Sequence, residues 1–196
     1  MEEASLTDWT LPLFRRGVLR GDALSRYVNQ QVERRPIEAM AMPLGIVATD
    51  LASGEGIVFR RGDTGLAVRA SSAIPALFQP VRIGGHDYVD GGLVAPVPVR
   101  FARDMGAELV IAVDISGAPQ GNGTDGVLQV LMQTFSIMGK SISALELRGA
   151  DVVVRPVLKD VGSADFAARK RSIEAGRAAM LASLPALRTQ LARLAQ

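Results

Sequence analysis

The sequence predicts an α/β fold in which helices flank a mostly parallel sheet. With 196 residues and a hydrophobic content of 48%, the chain is long enough for a sizeable core, and we expect one domain over residues 1–196. A continuous apolar run over residues 109–113 ends in Asp114 and is typical of a strand buried on both faces of a parallel sheet. Apolar residues recur at helical spacing before and after that run. Alternating strands and helices of this kind indicate the α/β class.

Composition excludes several classes of protein. The 22 Lys and Arg residues nearly balance the 20 Asp and Glu residues, so the formal charge of +2 does not indicate the dense basic patch of a nucleic-acid-binding protein. The chain has no cysteine, which removes disulfides, thiolate metal sites and cysteine nucleophiles. No apolar run approaches the roughly 18 residues of a membrane span, and the acidic start Met1-Glu2-Glu3 is unlike a signal peptide. We expect a cytoplasmic location.

Residues 1–40 predict an N-terminal region of polar helical segments, interrupted at residues 17–21. Asp22 precedes apolar residues at helical spacing, so we expect it to cap a helix. Trp9 is expected to be a packing anchor, with contact to a ligand as the alternative, because tryptophan is usually mostly buried.

Residues 41–160 predict the core of the sheet. Two apolar runs, over residues 43–50 and 56–61, flank turn residues and indicate a strand, a turn and a second strand. A short helix capped by Asp63 is expected next, and it must end before Pro75 because the residue preceding a proline avoids helical geometry.

The second half of this core begins with a hairpin, expected where Gly84-Gly85 separates residues 81–83 from residues 87–89. A helix over residues 98–105 then leads to the strand over residues 108–114.

The remaining elements are a loop, a long helix, a strand and the C-terminal helices. Glycine and proline indicate a surface loop over residues 118–126, and Asp125 is expected to cap a long helix that Gly149 ends. A buried strand is expected over residues 151–156. Residues 161–196 predict C-terminal helices, with one ending near Ala182 and a second restarting at Ser183-Leu184-Pro185.

The clearest chemical motif lies in residues 70–114. On its own, Asp90-Gly91 after a strand is an ordinary turn, because glycine tolerates positive φ and aspartate bonds its own backbone. The surrounding sequence is more specific than that dipeptide. In order, it contains Ala70-Ser71-Ser72-Ala73-Ile74-Pro75 with Phe78, the hairpin, Tyr88-Val89-Asp90-Gly91-Gly92, Pro96-Val97-Pro98, and Gly106-Ala107 before Val110-Ile111-Ala112-Val113-Asp114. This order and spacing resemble the aspartate half of the active site of patatin-like phospholipases, and bacterial members are the most similar in character.

The resemblance implies a flavodoxin-like arrangement of three layers and a serine–aspartate dyad that hydrolyses acyl esters of lipids. Asp90 matches the aspartate of the family and would act as general base, and Gly91 and Gly92 would let the backbone pass close to the nucleophile helix. The Gly-x-Ser-x-Gly nucleophile elbow and the glycine-rich oxyanion loop of the family appear nowhere in the 196 residues. The expectation is an N-terminally incomplete domain that is inactive by itself. The alternative is a non-catalytic interaction or scaffold module.

Other residues with suitable chemistry have simpler interpretations. Ser71 and Ser72 end a helix and lack the strained strand-to-helix turn that exposes a nucleophile, and Ser53 and Ser116 are expected in turns. The only histidine, His86, is expected to be an exposed residue at the hairpin tip.

Asp50 and Asp114 each end a predicted strand, where α/β sheets place ligands. Capping or loop bonding explains them equally well. No phosphate-binding loop follows any predicted strand, so no cofactor and no metal are expected.

The expected partners follow from the same resemblance. They are an acyl lipid or ester substrate, a membrane surface contacted peripherally, and a second copy of the chain that covers the part of the sheet left open by the missing region. No nucleic-acid partner is expected.

Overall fold

The structure of the chain, a computed structural model, describes residues 17–116, 126–158, 161 and 166–195. Contacts divide the chain into two compact units, Met1–Pro96 and Val97–Gln196. Helices and strands are present in both units, which confirms the α/β class. The expectations for Trp9 and Asp125 fall outside the described residues, and the single domain stays a prediction.

From residue 17 onward, where the structure describes it, the first unit combines two helices with six short strands. In chain order these are β1 (Gly17–Leu19), α1 (Asp22–Gln31), β2 (Ile46–Asp50), β3 (Gly56–Phe59), α2 (Thr64–Ser71), β4 (Ala76–Phe78), β5 (Val81–Ile83) and β6 (His86–Asp90). Short 3₁₀ turns occupy Ile37–Ala39 and Gly91–Leu93. The predicted break at residues 17–21 therefore contains a strand, which pairs in parallel with β4.

The main sheet of this unit is antiparallel, so the prediction of a mostly parallel sheet is only partly right. Its strand order is β3-β2-β6-β5, and all three pairings are antiparallel. Among the described strands, parallel pairing occurs in two small sheets, β1-β4 and β7-β8, the latter in the second unit. The physical reason is local: β2 and β3, like β5 and β6, are joined by tight turns, and a tight turn allows only antiparallel neighbours.

The predicted N-cap is right for one helix of this unit, α2, and wrong for the other, α1. Asp63 caps α2 as predicted, since its side chain accepts a hydrogen bond from the Leu66 N–H. In α1 the N-cap is Gly21 with φ 75°, and Asp22 is the first helical residue. Asp22 instead forms ion pairs with Arg20 and Arg69 at 2.6 and 2.7 Å.

Asn29 joins the two helices. Its amide nitrogen donates to both carboxylate oxygens of Asp63 at 3.0 and 2.9 Å, and its amide oxygen accepts from the Gly65 N–H at 2.8 Å. A Cβ on Gly65 would lie 2.3 Å from the Ser25 carbonyl oxygen, so only glycine permits this approach of α1 to α2.

Small and aromatic side chains fill the core beneath the main sheet. Ala48, Ala70 and Ala73 pack with Val81 and Tyr88. The Tyr88 ring meets the Phe59 ring edge to face, with 5.0 Å between the ring centroids. Central strand β2 is buried along its whole length, which places its two polar residues inside the protein.

The second unit contains α3 (Val99–Asp104), β7 (Ile111–Val113), α4 (Val127–Glu146), β8 (Val152–Val154) and α5 (Arg169–Leu194). The strands β7 and β8 pair in parallel, as the apolar run predicts. Gly106 follows α3 with φ 93°, which only glycine adopts without strain. α4 continues into a 3₁₀ turn, Leu147–Gly149, and thus ends where Gly149 was expected to end it.

Two expectations for the second unit are wrong. β7 is not buried on both faces, because Ala112 points into the unit while the side chain of Val113 is 54% exposed. Ile111 and Val113 point to the face opposite Ala112 and are both exposed, so the described residues cover one face of β7. α5 does not restart near Pro185 and continues through it. A proline inside a helix removes one hydrogen bond without necessarily ending the helix.

Candidate active site

Asp90 lies at the end of a central strand of the main sheet. It is the last residue of β6, which pairs with β2 on one side and β5 on the other. The chain then turns directly into the 3₁₀ segment Gly91–Leu93, for which Asp90 is the N-cap. The predicted catalytic residue is therefore partly buried at the end of a strand and not on a hairpin tip.

Three hydrogen bonds fix Asp90. Its N–H donates to the Ala73 carbonyl at 3.0 Å, and its own carbonyl accepts from the Thr49 hydroxyl at 2.8 Å. Its carboxylate oxygen Oδ1 accepts from the Gly92 N–H at 2.7 Å. These contacts hold both the backbone and the carboxylate in one orientation.

Burial sets the acidity of this carboxyl. It raises the pKa of Asp90 above the ordinary value of aspartate, and the Gly92 N–H opposes the shift because it stabilises the ionised form. A carboxylate with a raised pKa is a better proton acceptor than an ordinary aspartate.

The two glycines of the motif have identifiable packing roles. A Cβ on Gly91 would lie 2.3 Å from the carbonyl oxygen of Val47 in β2, so the turn can approach the sheet only through glycine. A Cβ on Gly92 would lie 3.0 Å from Asp90 Oδ1. In the described residues, Gly91 thus packs closely against strand β2, and Gly92 packs closely against the Asp90 carboxylate.

The serines near the motif stand in the turns and helix ends that the sequence predicts. Ser71 is the last residue of α2 and Ser72 follows it as the C-cap. Ser53 lies in the turn after β2, where its N–H donates to Asp50 Oδ1 at 3.3 Å. In the described residues, no serine hydroxyl is hydrogen-bonded to the Asp90 carboxylate.

His86 and Asp50 form a pair that sequence analysis missed. His86 is exposed as expected, with 59% of its side chain accessible, but it begins β6 and does not form the hairpin tip. Its Nδ1 lies 2.7 Å from Asp50 Oδ2. Asp50 is buried and also accepts from the Ala52 N–H at 2.8 Å. That bond, followed by those of Ser53 and His86, outweighs burial and lowers the pKa of Asp50. The two residues come together because β2 pairs with β6, so only a prediction of this strand pairing could have found them.

Asp114 shows the loop bonding expected of it. The Ser116 N–H donates to Oδ1 at 3.0 Å, the Ser116 hydroxyl donates to the same oxygen, and Arg155 donates to Oδ2 at 3.1 Å. Burial raises the pKa of Asp114, but the Ser116 bonds and Arg155 together outweigh it, so that the pKa lies below the ordinary value.

Neither a metal-binding cluster nor a membrane-spanning helix occurs within residues 17–116, 126–158, 161 and 166–195. No group of three or more His, Asp or Glu side chains in these ranges is arranged to hold a metal ion. No helix in the same ranges is both long enough and apolar enough to cross a membrane.

The structure thus places a partly buried aspartate in an Asp-Gly-Gly turn at a strand end of an α/β protein, and comparison with known proteins identifies the family. The Patatin-like phospholipase family model matches residues 3–103, just over half of the chain, and this stretch includes Asp90. The chain belongs to the patatin-like phospholipase family.

Individual relatives agree with this assignment. An uncharacterised NTE family protein of Mycobacterium bovis is 35% identical over 129 residues, which cover 66% of this chain and 36% of the relative. A second NTE family protein, of Mycobacterium tuberculosis, is 30% identical over an alignment of 207 residues, gaps included, that covers 92% of this chain and 35% of the relative. Patatin-like phospholipase domain-containing protein 6 of Mus musculus is 31% identical over 110 residues, or 55% of this chain and 8% of the relative. The chain thus spans about a third of the length of the mycobacterial relatives it matches.

Proposed function

We propose that this chain supplies the general base of a lipid acyl hydrolase, and that Asp90 is that base. The observation that carries the proposal is the Asp90 carboxylate itself, partly buried at the end of β6 with one oxygen held by the Gly92 N–H. It lies inside the stretch that matches the patatin-like phospholipase family. The proposed substrates are phospholipids or other acyl esters, met in solution or at a membrane surface.

The proposed reaction uses a serine and this aspartate as a dyad. Asp90 takes the proton of the serine hydroxyl as the serine oxygen bonds to the ester carbonyl carbon. The tetrahedral intermediate collapses, the bond to the alcohol breaks, and the proton passes from Asp90 to the departing alcohol. Water then attacks the acyl-serine with Asp90 again as base, which releases the fatty acid and restores the serine.

The serine is proposed to come from polypeptide other than these 196 residues, because no Gly-x-Ser-x-Gly occurs in them. The isolated chain is therefore proposed to hydrolyse no ester. It would lack both the nucleophile and the backbone donors of an oxyanion hole, and one such donor is worth about 3–4 kcal/mol of transition-state stabilisation.

The test compares Asp90→Asn with a matched surface variant in a polypeptide that joins this chain to a glycine-rich loop and a Gly-x-Ser-x-Gly segment. Asp90→Asn should lower kcat for a chromogenic short-chain ester by about 10²- to 10⁴-fold, the usual contribution of a general base. Asp104→Asn, at the exposed end of α3, should leave kcat unchanged. Full activity of Asp90→Asn would refute the assignment of the base.

A second candidate function is a non-catalytic interaction or scaffold module, and the surface of the second unit favours it. Apolar side chains stand exposed there on β7, just after it and along α4: Val113, Ile115, Val127, Ile137 and Leu145. In this reading a second copy of the chain covers these residues. The polypeptide that joins this chain to a Gly-x-Ser-x-Gly segment discriminates the candidates, because only the hydrolase predicts that it cleaves esters. Ester hydrolysis that Asp90→Asn abolishes would contradict the module, and a dimer by sedimentation equilibrium that hydrolyses no ester and takes no fluorophosphonate label would favour it.

A further inference from the structure

Thr49 is a buried polar residue whose hydroxyl bonds to the candidate base. It lies in β2, which is buried along its whole length, and Thr49 itself is 4% exposed. A buried hydroxyl is costly unless it is hydrogen-bonded. Its partner is the backbone carbonyl of Asp90, 2.8 Å away on the neighbouring strand β6.

The bond falls where the chain leaves the sheet. In the antiparallel pairing, Thr49 stands opposite Val89 and Ala48 stands opposite Asp90. The Thr49 side chain thus reaches one residue beyond its own pair, to the carbonyl at which β6 turns into the segment Gly91–Leu93. The orientation of that carbonyl fixes the peptide plane between Asp90 and Gly91.

That peptide plane carries the Gly91 N–H, and the two torsions of Gly91 join it to the next plane, which carries the Gly92 N–H. The N–H of Gly92 is the group that holds Asp90 Oδ1 at 2.7 Å. A short chain of contacts therefore runs from the Thr49 hydroxyl through the Asp90 carbonyl and the glycine turn back to the Asp90 carboxylate. In the described residues, the other carboxylate oxygen, Oδ2, has no hydrogen bond to protein, so it is the atom open to a reacting hydroxyl.

We propose that Thr49 is a positioning residue for Asp90, and that its hydroxyl fixes the Asp-Gly-Gly turn in the conformation that aims Oδ2 at the nucleophile. This inference rests on the proposed function of Asp90. Thr49 touches no reacting atom and acts only through the turn.

The chain offers a matched control. Thr64 is equally buried, at 3% exposed, and its hydroxyl likewise donates to a backbone carbonyl, that of Arg35, at 2.7 Å. It stands at the start of α2, and its hydrogen bond leads to Arg35 and not to the Asp90 turn. Thr49→Val and Thr64→Val therefore remove the same chemical group from comparable surroundings, and Thr49→Ser keeps the hydroxyl while removing a methyl group.

The readout uses the 196-residue chain and needs no enzymatic activity. The Gly92 amide proton is hydrogen-bonded to Asp90, so its NMR shift should follow the ionisation of that carboxyl as pH is varied. Thr49→Val should lose most of the amplitude of this titration, while Thr49→Ser and Thr64→Val keep it. If Thr49→Val does not fold, Thr49→Ala replaces it, since alanine leaves room for the strand to adjust.

Two results would overturn the proposal. One is a Gly92 titration in Thr49→Val, or in Thr49→Ala, with the amplitude and midpoint of the wild type. The other is an equal loss in Thr64→Val, which would reveal a general effect of removing a buried hydroxyl.

A kinetic arm separates this inference from the proposed function. In the serine-containing polypeptide, Thr49→Val should lower kcat about 10- to 100-fold with KM nearly unchanged, because misplacing a catalytic group affects the chemical step. Thr49→Ser should recover most of it. If Asp90→Asn is fully active, the proposed function fails, while the Gly92 titration still decides whether Thr49 orients the turn.

Discussion

The fold buries the Asp90 carboxyl in surroundings that disfavour its ionised form. Burial raises its pKa in the folded chain above the value it has in the unfolded chain. The folded state therefore favours the protonated carboxyl, and ionisation costs stability as the pH rises through the folded pKa. The same desolvation that makes the carboxylate a better base thus lowers the free energy of unfolding at neutral pH.

A stability measurement follows for Asp90→Asn, separate from its effect on activity. Asparagine keeps an oxygen that can accept from the Gly92 N–H but carries no charge. We expect the variant to match the wild type in free energy of unfolding at about pH 3 and to exceed it at about pH 7, because only the wild type pays for ionisation. Urea unfolding at both pH values measures this. A variant less stable than the wild type at neutral pH would contradict it.

The sequence predicts the position of Asp90 but not the residues that form hydrogen bonds with it. Asp90 was located by the motif over residues 70–114, whose order and spacing can be read along one stretch of the chain. Thr49 and Ala73 form hydrogen bonds with Asp90 from other parts of the chain. No local sequence pattern at either residue predicts these hydrogen bonds. The Asp50–His86 pair was missed for the same reason, since it exists only once β2 is aligned with β6.

At the scale of elements, the turns were predicted well from their residues, whereas the direction of the paired strands was predicted poorly. Gly84 and Gly85 have φ of 58° and 91°, and they form the two-residue turn that the sequence predicts between β5 and β6. The mostly parallel sheet was an extrapolation from the single run at β7. The hairpins already implied antiparallel pairing, and the main sheet follows them.

Two glycines in helices should respond to alanine in opposite directions. Gly65→Ala should destabilise the chain by about 1–3 kcal/mol, because its Cβ would lie 2.3 Å from the Ser25 carbonyl and α1 and α2 would have to separate. Gly176 lies within α5 with no atom within 4 Å of its ideal Cβ, so Gly176→Ala should stabilise by about 1 kcal/mol through helix propensity. Thermal unfolding of both variants tests the pair. Equal effects would mean that packing at Gly65 is looser than described.

At the scale of the whole molecule, several aspartates act in the opposite sense to Asp90. The pKa of Asp151 is lowered, first by the Val110 N–H at 2.7 Å and also by Arg103. The pKa values of Asp50 and Asp114 are lowered as well. Such groups contribute stability above their unfolded pKa and lose it as the pH falls through their folded pKa. We therefore expect the chain to lose stability below about pH 4, near the ordinary pKa of aspartate.

Asp151→Asn tests this acid dependence. The variant loses the charge that pairs with Arg103, so it should be less stable than the wild type at about pH 7. The difference should vanish at about pH 2, where the wild-type carboxyl is protonated too. Circular dichroism during urea unfolding at the two pH values gives the comparison. A difference of the same size at both would show that the effect is not one of charge.

The hydrogen bonds of Asn29 with Asp63 and Gly65 also determine what deamidation of Asn29 during storage would do to the protein. Deamidation of Asn29 would replace its nitrogen donors by a second carboxylate, about 3 Å from that of Asp63. Two anions would then face each other across α1 and α2, at the point where Gly65 lets the helices touch. Slow chemical damage at this one amide should therefore loosen the first unit in stored protein without any change in the gene.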